Sequence, residues 1–155
     1  MIDLHGRHLL PLLLGLTLCA GCGESPYPEL FPASGTITLD GAPLDGATVA
    51  FIPSKSNQMQ PSYGYTDPDG KYELKTPEGY GGVSPGEYRI VISKIVMPDG
   101  SPVPPGSQTG GAEGDESIPY PHSDPRATSN VAVVAEGSDV FDVAIVSIQE
   151  QKRGR

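Results

Sequence analysis

The sequence predicts an all-β fold, a seven-stranded β-sandwich behind an N-terminal signal segment. Three observations carry that prediction. Short apolar runs alternate with period two, turn residues punctuate them (Gly 20 and Pro 17 in 155 residues), and no helical periodicity follows Gly21. Period-two alternation buries one face of a strand, and many short strands between Gly- and Pro-rich turns read as a sandwich. The length suits one ordinary domain.

Taken in order, Met1 to Gly21 has the shape of an export signal, with a weakly basic start at Arg7 and an apolar run from Leu9 to Leu18. That run is shorter than the roughly 20 residues a membrane-spanning helix needs. Leu18-Cys19-Ala20-Gly21-Cys22 resembles the lipobox of bacterial lipoproteins, with Cys19 standing where leucine is usual. The resemblance implies cleavage before Cys22, a diacylglycerol thioether on its sulfur and an acylated new amino terminus. Several acyl chains would hold the protein firmly, each buried CH₂ adding about 0.8 kcal/mol. Residues 22–32 then read as a tether, polar and without periodicity.

Ser34 to Leu39 is the first expected strand, with Ile37 and Leu39 sharing a face, and Asp40 to Leu44 turns the chain. Ala47 to Pro53 is the second, placing Val49 and Phe51 opposite Ala50 and Ile52. Gly64 to Leu74 reads as strand, tight turn and strand, a hairpin at the middle of the domain. Pro68 has its φ preset for a turn, Gly70 tolerates positive φ, and Asp67 and Asp69 can accept local N–H groups. Beyond the turn Tyr72 and Leu74 share one face while Lys71, Glu73 and Lys75 share the other. Gly86 to Val96 is the longest and most apolar run, expected in the middle of a sheet.

Residues 97–117 break the alternation with four prolines, a Gly-Gly pair and the acids Glu113, Asp115 and Glu116, so a flexible, solvated insertion is expected there. Its Pro102-x-x-Pro105 also fits a PxxP ligand. Asn130 to Ala135 and Val140 to Ile148 complete the strands, and 149–155 is a polar tail.

Gly35-Thr36-Ile37-Thr38-Leu39-Asp40-Gly41-Ala42-Pro43-Leu44-Asp45-Gly46-Ala47-Thr48-Val49 resembles the opening of carboxypeptidase regulatory-like domains. Thr66-Asp67-x-x-Gly70-x-Tyr72 and Pro85-Gly86-Glu87-Tyr88 follow in the order seen in that family. The resemblance covers residues 33–148 and implies a transthyretin-like (prealbumin-like, Ig-like) seven-stranded sandwich. Its motifs are turn and core signals, which speak for fold rather than activity. In the parent metallocarboxypeptidases the module is an accessory, and the catalytic domain has no counterpart in this chain.

The chemistry-bearing residues are few. Cys19 and Cys22 are the only cysteines and have no second Cys or His pair for a zinc site. After signal removal His122 is the last histidine, and in Pro121-His122-Ser123-Asp124-Pro125 its neighbours are too close in sequence for a preorganised triad. Asp67-x-Asp69-Gly70 echoes part of a calcium loop but lacks the terminal glutamate, so the three residues read as a structural turn. Tyr63, Tyr65, Tyr80 and Tyr120 could form a sugar-stacking platform. The formal charge of −9 argues against a nucleic-acid partner. The expectation is a non-enzymatic cell-envelope lipoprotein without catalytic residues, metal or cofactor, held to a membrane through Cys22 and presenting a binding or structural module. Its rivals are a carbohydrate- or protein-binding accessory of a separate enzyme, and a hydrolase with an unrecognised site.

Overall fold

The structure is a computed structural model that describes residues 29–55, 59–103 and 114–147. The signal segment, Cys19, Cys22, the tether through Pro28, Pro105, Glu113 and the tail 149–155 lie outside those residues.

The strands in chain order are β1 (Ser34–Leu39), β2 (Ala42–Pro43), β3 (Thr48–Pro53), β4 (Ser62–Tyr65) and β5 (Lys71–Glu73), then β6 (Gly86–Ser93), β7 (Ile95–Val96), β8 (Asp115–Glu116), β9 (Val131–Val134) and β10 (Val143–Ile145). The described residues form no helix, so none there could cross a membrane. One sheet runs β4-β3-β6-β9, and β6 sits inside it as its apolar alternation requires. In the other, β10 and β1 pair in parallel, while β2 and β5 share the opposite edge of β1 antiparallel. The pair β7–β8 forms a separate ribbon.

The two larger sheets bury one core between them, an arrangement consistent with a β-sandwich. Ile37, Tyr72 and Ile145 meet Val49, Phe51, Tyr88 and Ile92 there, and Phe51 packs edge-on to Phe141 with ring centroids 5.4 Å apart. The alternation is visible residue by residue: along β6 Tyr88, Ile90 and Ile92 are buried while Glu87, Arg89 and Val91 are only partly so.

The ordered ladder reaches back to Phe31, whose N–H and C=O both bond to Val83 at 2.9 Å, inside the stretch expected as tether. The base of the 97–117 stretch is clipped as well. Glu116 accepts from Ser93 Oγ at 2.5 Å, from Lys94 N at 3.0 Å and from Ile118 N at 2.8 Å, which closes the β7–β8 ribbon beneath it.

Candidate functional site

The site begins with the turn at 67–70. Asp67 Oδ1 accepts the N–H groups of Asp69 and Lys71, each at 2.9 Å, while its carbonyl accepts from Gly70 N at 2.8 Å. Gly70 has φ 74°, and a Cβ there would stand 2.5 Å from the Ile37 carbonyl oxygen. The position therefore excludes a side chain twice, by backbone conformation and by space. Asp69 projects into solvent from the same turn.

The strands on either side do not form the expected hairpin ladder. Their main chains bond at the turn, Asp67 N to Lys71 O at 2.9 Å, and again at the far end, where Tyr63 and Lys75 exchange bonds of 2.8 and 2.9 Å. Between those points β5 pairs with β1 instead, matching Ser34 to Glu73, Gly35 to Tyr72 and Thr36 to Lys71. The segment is thus a crossover between the two sheets. Gly64 permits it, because a Cβ there would lie 2.5 Å from the Glu73 carbonyl oxygen. Glycine inside a strand often marks such a close backbone approach.

The crossover sorts the side chains. Ser62 and Gly64 face inward on β4, so Tyr63 and Tyr65 face solvent, 40% and 73% exposed. On β5, Tyr72 is buried between exposed Lys71 and Glu73. The Tyr72 hydroxyl donates to the Phe141 carbonyl at 2.7 Å, and burial together with nearby Asp142 pushes its pKa up. Asp142 is itself held, accepting from Thr36 N at 2.7 Å.

Two open grooves flank this face. One, about 580 Å³, includes Gly35, Tyr65, Asp67, Lys71, Glu73 and Asp142 in its walls. The other, about 520 Å³, runs along Tyr63, Gly64, Lys75, Thr76 and Gly79. Tyr65 and Glu73 border both. Chemically the surface offers aromatic rings with carboxylates and ammonium groups of both signs around them.

No protein-family model and no curated protein matches the chain. Among solved structures, the chain shows a likeness to a 9R-lipoxygenase from Cyanothece PCC8801, at 14% identity and a TM-score of 0.33. The match takes in 76% of this chain and 16% of that one, and a score so low carries no argument about fold or activity.

The remaining sequence candidates scatter. Tyr80 belongs to the 76–80 turn beside the second groove, where its N–H bonds to Thr76 Oγ1 at 3.2 Å and its carbonyl accepts from Thr76 N at 2.8 Å. Tyr120 lies in the 118–124 segment, which docks on β6 through Ile92 N and the His122 carbonyl at 3.0 Å, and it lines neither groove. His122, Ser123 and Asp124 each turn to a different partner. The Asn130 amide lies 3.0 Å from His122 Nδ1, Ser123 Oγ donates to the Ile118 carbonyl at 3.5 Å, and Asp124 Oδ1 accepts from Arg126 N at 2.7 Å. Burial lowers the pKa of His122, which favours a neutral ring able to accept that amide. Among the described residues no three His, Cys, Asp or Glu side chains gather as a metal-holding group. Pro102 bridges to Val96 at the ribbon.

Sequence reasoning missed Glu73 and Lys75 as partners of Tyr63 and Tyr65. Their alternation with Tyr72 and Leu74 was the available signal: it put them on the outer face, and the crossover brought that face against β4.

Proposed function

We propose that this protein is a non-enzymatic lipoprotein of the bacterial cell envelope, exported, anchored through Cys22, and presenting a β-sandwich binding module on a short tether. The observation that carries the binding role is the pair of solvent-facing rings, Tyr63 and Tyr65, beside two open grooves. An aromatic ring left in water contributes little to folding, yet it is well suited to burying area against a ligand. The anchor rests on the lipobox-like Leu18-Cys19-Ala20-Gly21-Cys22. The transthyretin-like reading of the sandwich draws support from two facing sheets and from seven strands of three or more residues among the described residues. The motif order from Gly35 to Tyr88 supports it too.

Metabolic labelling with a palmitate analogue, read together with signal cleavage, tests the anchor. Cys22→Ser should lose the label and keep its signal segment uncleaved. Cys19→Ser should keep the label and be cleaved, since position 19 lies in the removed segment. Equal labelling of the wild type and Cys22→Ser would refute the anchor.

A further inference from the structure

We infer that the grooved face astride the β4–β5 crossover binds an uncharged, β-linked oligosaccharide, with Tyr65 and Tyr63 stacking on its sugar rings. This rests on the binding role proposed above and adds the ligand class to it.

Shape is the first argument. Two open troughs of about 580 and 520 Å³ lie on either side of Tyr65 and Glu73, so the exposed rings have open space beside them rather than an enclosed pocket for a compact cofactor. Two residues apart on one strand, the tyrosines stand about 7 Å from each other, close enough for one short oligosaccharide to meet both. Flat faces of pyranose rings with equatorial substituents are apolar and match an exposed phenol ring.

The main chain supplies the second argument, because it disfavours a peptide. Tyr63 gives both its N–H and its C=O to Lys75, and β5 pairs with β1. At Tyr63 an incoming peptide therefore finds no open ladder to extend, and recognition there falls to side chains. Charge is the third. Lys71 and Lys75 interleave with Asp67, Glu73 and Asp142, so a polyanion would meet carboxylates and a polycation would meet ammonium groups. A hydroxyl-rich neutral chain finds both donors and acceptors there. Asp67 and Asp142 are already fixed by main-chain N–H groups, which lowers the ordering cost of binding.

The test is isothermal titration of the full-length protein in detergent micelles with the hexaoses of β-1,4-linked glucose and β-1,4-linked N-acetylglucosamine. An extended peptide library serves as the competing class. At least one hexaose should bind saturably, and Tyr65→Ala should weaken it about tenfold. Tyr65→Phe keeps the ring and should retain the affinity. Tyr120→Ala, 69% exposed but away from the groove, should change nothing. An unchanged denaturation midpoint for Tyr65→Ala separates lost binding from lost folding. If neither hexaose binds, or if Tyr65→Ala binds as the wild type does, the inference is overturned. Peptide binding that depends on Tyr65 would also overturn it, while leaving the binding role and the Cys22 anchor standing.

Discussion

Tyr63 and Tyr65 on β4 and Tyr72 and Tyr88 on β5 and β6 are the same side chain put to opposite uses. The second pair is buried, and each hydroxyl finds a main-chain acceptor: Phe141 O at 2.7 Å for Tyr72 and Ser84 O at 2.8 Å for Tyr88. Burial also pushes the Tyr88 pKa up to about 12, and that of Tyr72 in the same direction. The first pair keeps its rings in solvent beside an open groove. Strand parity makes the difference, since neighbouring positions on one strand point to opposite faces. A one-residue slip of β4 against β3 would turn Tyr63 and Tyr65 inward, and one of β5 against β1 would turn Tyr72 outward.

The comparison breaks most severely in the core. Tyr88 is 0% exposed and stacks obliquely on Phe51 with centroids 5.9 Å apart, so Tyr88→Ala should cost about 3–5 kcal/mol and leave little folded protein in chemical denaturation. Gly70→Val attacks the turn instead. Positive φ and the Ile37 carbonyl oppose the new side chain together, and a loss of about 2 kcal/mol or more is expected. An unchanged midpoint would mean that neither the positive φ nor the close approach at Gly70 constrains the fold. Tyr72→Phe is gentler: it orphans the Phe141 carbonyl while leaving the packing, and should cost about 1 kcal/mol.

Alkali sharpens the contrast without mutation. A folded pKa raised above the unfolded value means that the native state holds the proton more tightly. The contribution of Tyr88 is therefore complete below about pH 10 and is lost as pH rises through about 12. Denaturation midpoints should fall over that interval, and the part of the fall due to this group should vanish in Tyr88→Phe. The smallest stability effect belongs to Tyr65→Ala, expected within about 0.5 kcal/mol of the wild type.

Much of this architecture was legible because alternation is local. Ser34–Leu39 is the strand that Ile37 and Leu39 imply, and Tyr88, Ile90 and Ile92 are buried on the strand that their spacing implies. What escaped was set by tertiary pairing. The chemistry of residues 67–70 reports a turn, but nothing local to Lys71–Glu73 reveals that β1 will outcompete β4 for it. Gly64 was a hint, a residue without a side chain between two tyrosines of a strand. Two-residue pairings such as β2, β7 and β8 are too short to show a period, and the expected strand from 86 to 96 divides at Lys94, where Glu116 binds the main chain. The expected platform of four tyrosines separated for a similar reason, since Tyr120 sits in a loop whose course alternation cannot report.

The most direct test of the contrast measures stability and oligosaccharide affinity side by side in Tyr65→Ala and Tyr88→Phe. Tyr65→Ala should keep its denaturation midpoint and lose about tenfold in affinity, while Tyr88→Phe should lose about 1 kcal/mol of stability and keep its affinity. If both variants shifted stability and affinity together, exposed and buried tyrosines would not be doing separate jobs, and the account would be contradicted.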